Sequence, residues 1–368
     1  MNIYSMLPLF GEILPEKAPC RTLMDWTFNM SLNNIAQQLG GVHYCWPSND
    51  EAVLVRGFDM LDQYPKEEDD PIWVIQYNRI MAIDNSLPQK IREIWPNCKI
   101  VVFGQDTDMG NFFTPEDQSG WHRFKTKEEI QSQYWYDDYV NEYNYDIIAT
   151  YEAHQKDDEV FFVGIDNLNW DIDLYIDPST AIVHDASKKF TSRRFIWNVS
   201  DQIAQQIVGL SRPQEKLADA ICMCADAHEG TFRESMFSYL DKNGYKALWN
   251  LHEHNLKNIV NYYCQSKVAL GTSSRNRDDL PRGSKGMRDW IGPLCGTPLI
   301  YDDYKEVVDL GIVPTYDYLD WQEIIDLTNS LTRDEQLYND IVEEQKKFSL
   351  EHTLDKELTR IFKEVNII

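Results

Sequence analysis

Residues 268–300 read VALGTSSRNRDDLPRGSKGMRDWIGPLCGTPLI, and in that stretch Lys285 and Arg288 stand beside Thr272, Ser273, Ser284 and Gly286. These groups suit an anionic oxygen. Hydroxyls and the unpaired backbone N–H groups of a helix start donate hydrogen bonds, the helix dipole adds positive potential, and lysine and arginine supply full charge, so a phosphate is stabilised there. Lys267, Arg275, Arg277 and Arg282 reinforce the basic side against Asp278, Asp279 and Asp289. In a chain of formal net charge −25 the stretch is a local reversal of sign. A second basic cluster, Lys188, Lys189, Arg193 and Arg194, is expected between a strand and a helix, where it serves either phosphate binding or a solvated face.

Carboxylates supply the complementary chemistry. The run KIVVF is followed by GQDTDMG, which places Asp106 and Asp108 in a glycine-bounded loop after a strand. A carboxylate held there can take the proton of an acceptor hydroxyl, or bind a divalent cation through hard oxygens. The competing reading is a solvated acidic turn, since the same D-x-D spacing recurs at Asp171 and Asp173. His122, in the loop GWHRF, is a rival base, and Trp121, His122 and Arg123 form a basic aromatic loop. No metal site is expected. Cys222 and Cys224 with His228 lack the four ligands and C-x-x-C spacing of zinc, and His252 and His254, two apart on one expected helix, do not share a face.

The elements that must position these residues alternate. Strands are expected over 2–9, 42–46, 72–77, 99–103, 147–150 and 160–163, with helices over 23–39, 88–95 and 127–143, the pattern of an open parallel sheet. The turn-rich GIDNLNWD, residues 164–171, is the expected crossing between two domains, 1–168 and 169–368. The second domain then runs as a strand over 181–184, helices over 195–207, 231–243 and 245–263, a strand over 268–270, a helix opening at 284–286 and a strand over 297–300. Capping-box pairs Asp320/Glu323 and Thr332/Glu335, with the stripe Leu337, Ile341 and Phe348, predict closing helices. In such sheets ligands bind beyond the carboxyl ends of the strands.

Composition bounds the answer. A chain of 368 residues, 43% hydrophobic and 12% aromatic, holds enough apolar surface for two cores and is not a disordered chain. Its acidity argues against polyanion binding driven by overall charge, leaving only a local basic cleft for nucleic acid. Seven scattered cysteines do not form a disulfide framework and read as reduced thiols. The opening MNIYSMLPLFGEILPEK has neither a basic leader nor a membrane span, so a cytoplasmic location is expected.

The segments KVALGTSS, RGSKGMRDWIGPLCGTPLIYDD and the closing helix with SLEHT, in that order, resemble the GT-B glycosyltransferases, in particular the group-1 type and the spore-maturation-protein-like branch. IREIWPNCKIVVFGQD is similar to the same branch. The resemblance implies an α/β chain of two facing Rossmann-like domains with a C-terminal helical closure. The second domain then holds a nucleotide-sugar donor, a UDP-sugar, as co-substrate with no further cofactor, and the first holds the acceptor. It carries Ser284, Lys285 and Gly286 to the helix start facing the donor phosphates, Arg288 to the family's arginine, and Thr272 and Ser273 to the loop near the nucleotide. The family's glutamate pair, eight positions apart, is replaced by Gly283 and Ile291. Asp289, Asp302 or Asp303 must then meet the ribose, and retaining or inverting stereochemistry stays open.

On chemical grounds, Arg193, Arg194, Lys285 and Arg288, with Lys188, are assigned to leaving-group stabilisation, and Asp106 or Asp108 to acceptor activation. Viral transferases of this fold modify hydroxymethylated pyrimidines in DNA, so the acceptor is such a base, met by Trp121, His122 and Arg123, or a glycan. A nucleotide-sugar epimerase or phosphorylase, and a non-catalytic binder of an anionic ligand, are the competing functions.

Overall fold

The computed structural model describes residues 1–6, 20–45, 61–67, 70–77, 87–104, 170–178, 183, 186–187, 189–223, 232–249, 253, 255–272, 287–303, 305–317 and 320–368. Two compact units divide the chain: one comprises Met1–Glu12, Leu32–Phe195 and Thr359–Ile368, the other Ile13–Ser31 and Ile196–Leu358.

The first unit is built on β1 (Ile3–Met6), α1 (Cys20–Gln38, which enters it from the other unit), β2 (His43–Cys45), β3 (Ile72–Tyr77), α2 (Leu87–Ile94), β4 (Lys99–Gly104), β5 (Leu174–Asp177) and β6 (Ser192–Arg194). All six strands are parallel, in the order β2-β1-β3-β4-β5-β6. Strands covered on both faces are buried along their length, as IYSM and LYID are at every position, and their polar members Ser5 and Asp177 are each hydrogen-bonded. The core is aromatic. The Tyr4 ring meets Tyr44, Tyr64, Trp73 and Trp95, and Trp73 packs on Trp95 with centroids 5.0 Å apart, an edge-and-tilt cluster that the ring quadrupoles favour over face-on stacking.

The expected domain change at 168/169 differs from this division, in which the first unit continues to Phe195. Trp170 is buried in the first core, with Ile172 packed against it. Asp173 then accepts from the Ile100 N–H at 2.8 Å and pairs with Arg92 at 2.7 Å and Lys99 at 3.1 Å, which seats β5 beside β4. Those bonds hold the Asp173 carboxyl below its ordinary range against the opposing cost of burial. Residues 170–173 therefore lead into two more strands of the same sheet.

The second unit contains α3 (Asp201–Leu210), β7 (Ala218–Ile221), α4 (Phe232–Lys242), β8 (Ala247–Leu248), α5 (Leu256–Cys264), β9 (Ser266–Gly271), α6 (Met287–Leu294), β10 (Leu299–Asp302), α7 (Lys305–Val308), β11 (Thr315–Tyr316), α8 (Gln322–Arg333) and α9 (Glu335–Glu351). A last helix, α10 (Leu354–Glu364), begins in this unit and ends in the first. Its sheet is parallel, ordered β11-β10-β9-β7-β8.

Local capping explains where expected helices moved. The helix expected over 195–207 starts at Asp201, because the Ser200 hydroxyl caps it through the Ile203 N–H. The one expected over 245–263 is split: Gly244 at φ +73° closes α4, β8 follows, and Asn255 starts α5 by accepting from the N–H groups of Lys257 and Asn258. Thr332 does not open α9. Its hydroxyl bonds back to Thr328, and Asp334 caps instead through the Leu337 N–H at 3.0 Å. The Asp320/Glu323 pair does not form a reciprocal box either, for Asp320 accepts from Gln322 N–H and Glu323 from Asp317 N–H. Leu337 is 41% exposed, and the buried face of α9 runs through Val342, Gln345 and Ser349. The elements expected over 127–143, 147–150 and 160–163, and nearly all of 181–184, lie outside the described residues.

Among the described residues Cys45, Cys98, Cys222, Cys264 and Cys295 are free thiols, Cys222 being buried at the end of β7. No helix among them is long and apolar enough to cross a membrane.

Gln345 shows how α9 is fastened. Fully buried, its amide accepts from the Leu299 N–H at 2.7 Å and donates to the Leu299 carbonyl at 2.9 Å and the Ile312 carbonyl at 3.1 Å. Gln345→Ala leaves the Leu299 groups unpaired, and equilibrium denaturation is expected to show a loss of about 2–4 kcal/mol. In the first unit His43 bonds the Ser5 hydroxyl at 2.8 Å, and burial lowers its pKa from 6.5 to about 4. The unfolded chain therefore takes the proton first, so this contribution is whole above pH 6.5 and is lost as pH falls towards 4. His43→Gln is expected to flatten the stability–pH curve in that window.

Candidate active site

In the second unit β9 delivers Gly271 and Thr272, and β10 delivers Tyr301 and Asp302, to adjacent carboxyl ends. Gly271 is required there. A β-carbon on it would stand 2.0 Å from Cδ2 of the Tyr301 ring, so only a bare backbone lets that ring lie across the strand end. The Tyr316 hydroxyl fastens the same point by donating to the Gly271 carbonyl at 3.0 Å.

Arg233, at the second position of α4, reaches this edge: its guanidinium donates to the Thr272 hydroxyl at 3.4 Å and the Thr272 carbonyl at 3.3 Å. It is only 7% exposed, and among the described residues no carboxylate forms an ion pair with it. Burying a cation is costly, and negative charge nearby offsets that cost. Asp289, in the first turn of α6, and Asp302, 3% exposed, bring negative charge to the same group of side chains. Burial pushes the Tyr301 phenol well above its ordinary range, the charges of Asp289 and Asp302 add to the rise, and Arg233 opposes it.

The structure thus brings Thr272, Asp289 and Asp302 together. Arg288 lies in the same first turn of α6. Ser273, Ser284, Lys285 and Gly286 lie outside the described residues, as do Lys188, Asp106, Asp108, Trp121, His122 and Arg123. Arg193 and Arg194 are placed elsewhere than expected. They form β6 of the first sheet, not part of the second domain, because that strand pairs with β5. There Arg193 donates to the Ser192 carbonyl at 2.8 Å and approaches Glu364 at 3.8 Å, while Arg194 Nε donates to the Pro178 carbonyl at 3.2 Å.

Two residues escaped the sequence reading. One is Arg233, whose signal was a cation in the first turn of a helix, the end where the dipole disfavours it. The other is Asp177, 2% exposed at the carboxyl end of β5 in the first unit. It accepts from the Tyr175 hydroxyl at 3.1 Å, and a β-carbon on Gly104, the last residue of β4, would fall 2.0 Å from its Oδ2. A lone aspartate after an apolar run had nothing to distinguish it from the other acidic residues. No group of three or more His, Cys, Asp or Glu arranged for a metal occurs among the described residues.

No protein family and no curated protein matches the sequence. Solved structures do match the fold. An alpha-glucosyltransferase in complex with UDP and a 13-mer DNA containing an HMU base aligns over 100% of this chain and 99% of its own, with a TM-score of 0.54 at 11% identity. The OtsA apo structure aligns over 86% of this chain and 76% of its own, with a TM-score of 0.50 at 12% identity. A trehalose-6-phosphate synthase, described for glycosyl transfer with retention, aligns over 94% and 86%, with a TM-score of 0.50 at 11% identity. The fold is GT-B. Within this GT-B chain, the second unit's carboxyl edge holds buried cationic and carboxylate side chains around Thr272, and its order depends on the space beside Gly271. Gly271→Ala is expected to cost about 1–3 kcal/mol in stability by overpacking against Tyr301, read as a lowered thermal midpoint.

Proposed function

We propose that the protein is a glycosyltransferase that moves a sugar from a nucleotide-sugar donor, a UDP-sugar, to an acceptor hydroxyl on a modified pyrimidine in DNA. The observation that carries the donor half is Arg233, a buried guanidinium beside Thr272 at the carboxyl edge of β9 with no ion pair among the described residues. A nucleoside diphosphate leaves readily once its growing charge is met by fixed donors in a site of low dielectric. Arg233, Arg288 and the start of α6 are proposed to supply such charge, together with Ser284, Lys285 and Gly286, which precede that helix in sequence. Asp302 and Asp289 are the carboxylates proposed to meet the ribose, in place of the glutamates that Gly283 and Ile291 displace.

The acceptor half rests on the end-to-end likeness to the alpha-glucosyltransferase bound to UDP and HMU-containing DNA. An acceptor base in duplex DNA has to leave the stack, which calls for a basic aromatic loop such as Trp121, His122 and Arg123. Asp106 or Asp108 takes the hydroxyl proton. With a formal charge of −25, the contact with DNA is local and its affinity falls steeply with salt.

Incubation with a panel of nucleotide sugars, with and without HMU-containing oligonucleotide, tests the reading by release of free nucleotide and by the mass of the nucleosides. UDP release that rises with the oligonucleotide, together with a hexose- or pentose-bearing nucleoside, is expected. Arg233→Met is expected to lower kcat/KM by roughly 100- to 1,000-fold, as removal of one preorganised charge stabiliser does. Thermal stabilisation by UDP without turnover of any donor, glycan acceptors included, refutes the transferase reading in favour of a binding protein.

A further inference from the structure

The segment SLEHT, residues 349–353, spans the end of α9 and the turn into α10. Asn198 holds its backbone, donating to the Ser349 carbonyl at 2.7 Å and the His352 carbonyl at 3.1 Å. The His352 ring lies on the Phe348 ring, with centroids 4.2 Å apart and 29° between the planes. Phe348 in turn meets Trp290 at 5.1 Å. Trp290 is fully buried in α6 and follows Asp289 directly. Three rings in contact therefore run from the end of α9 into the first turn of the helix that borders the Thr272 edge.

The outer end of this line is anchored. His352 Nδ1 bonds Glu357 Oε1 at 2.8 Å, and Glu357, 2% exposed, accepts from the Ile196 N–H at 3.3 Å through its other oxygen. Both carboxylate oxygens are thus occupied, one by a ring and one by the backbone where the long segment of the second unit begins.

We propose that His352 is a positioning residue whose ring, acting through Phe348, fixes Trp290 and so the first turn of α6. A close-packed interior passes a displaced ring on to its neighbours, because it holds no space to absorb the shift. Asp289 is felt at the Thr272 edge, where its charge adds to the rise of the Tyr301 phenol. A binding group moved by ~1 Å can cost about 100-fold in rate, so the placement of that turn matters to a ligand. The consequence for nucleotide affinity rests on the donor-site reading above; the effect on α6 itself does not.

The ring and the bond of His352 are separable. Asparagine puts an amide nitrogen near the place of Nδ1 and removes the ring, whereas phenylalanine keeps a ring on Phe348 and leaves Glu357 Oε1 without this bond. Hydrogen–deuterium exchange of the α6 peptide in the ligand-free full chain, with UDP affinity by calorimetry, tests the proposal, and circular dichroism reads the folding of each variant. In His352→Asn, faster exchange in α6 and roughly 10-fold weaker UDP binding are expected. His352→Phe is expected to restore both towards wild type, although its thermal midpoint falls because a buried acceptor has lost its donor. Phe348→Leu, which removes the middle ring, is expected to act as His352→Asn does and serves where a His352 variant does not fold. Unchanged α6 exchange in His352→Asn or Phe348→Leu overturns the proposal. So does an α6 exchange rate that follows the thermal midpoint across the variants, which is the mark of general packing, or faster exchange with UDP affinity unchanged. A wild-type chain that binds no UDP refutes the donor-site reading, while α6 exchange still decides whether His352 positions the helix.

Discussion

The second unit's carboxyl edge depends on one close approach, that of the Tyr301 ring to the bare backbone of Gly271. Because that ring covers the end of β9, Thr272 emerges next to it in a dry environment, where Arg233 can reach both its hydroxyl and its carbonyl. Dryness strengthens each electrostatic effect there. It raises the Tyr301 and Tyr316 phenols and makes an ion pair for Arg233 valuable. A side chain at position 271 displaces the ring, and with it the low dielectric on which the site's charges act.

A similar economy of polar groups runs through the supporting scaffold. Gln345 ties α9 to both backbone groups of Leu299, at the start of the strand that ends in Asp302. Asp173 does the same in the first unit, accepting from Ile100 while pairing with Arg92 and Lys99. Both are buried or half-buried polar side chains that stay because every bond they lose to water is replaced. Each holds an element at the amino end of a strand, leaving the carboxyl end to the loops that carry chemistry.

How much of this was legible in the sequence varies with the range of the interaction concerned. Apolar runs such as IWVIQY and KIVVF became buried strands, and the strand, basic loop, helix and strand order around Thr272 predicted an α/β sheet edge and placed Thr272, Asp289 and Asp302 in it. Those readings depend on composition and spacing within a few residues, which the chain carries locally. Short strands with polar or acidic neighbours, LYID and SRR, were passed over as linker and charge cluster, because their assignment depends on pairing with β4 and β5 and not on their own pattern. By itself the sequence determined the α/β class and the apolar runs that became buried strands. Only the tertiary structure decided that Arg193 and Arg194 belong to the first sheet and that Arg233 meets Thr272 from 39 residues away. Contacts at such separation are selected by how whole sheets and helices pack, and no local pattern of residues encodes them.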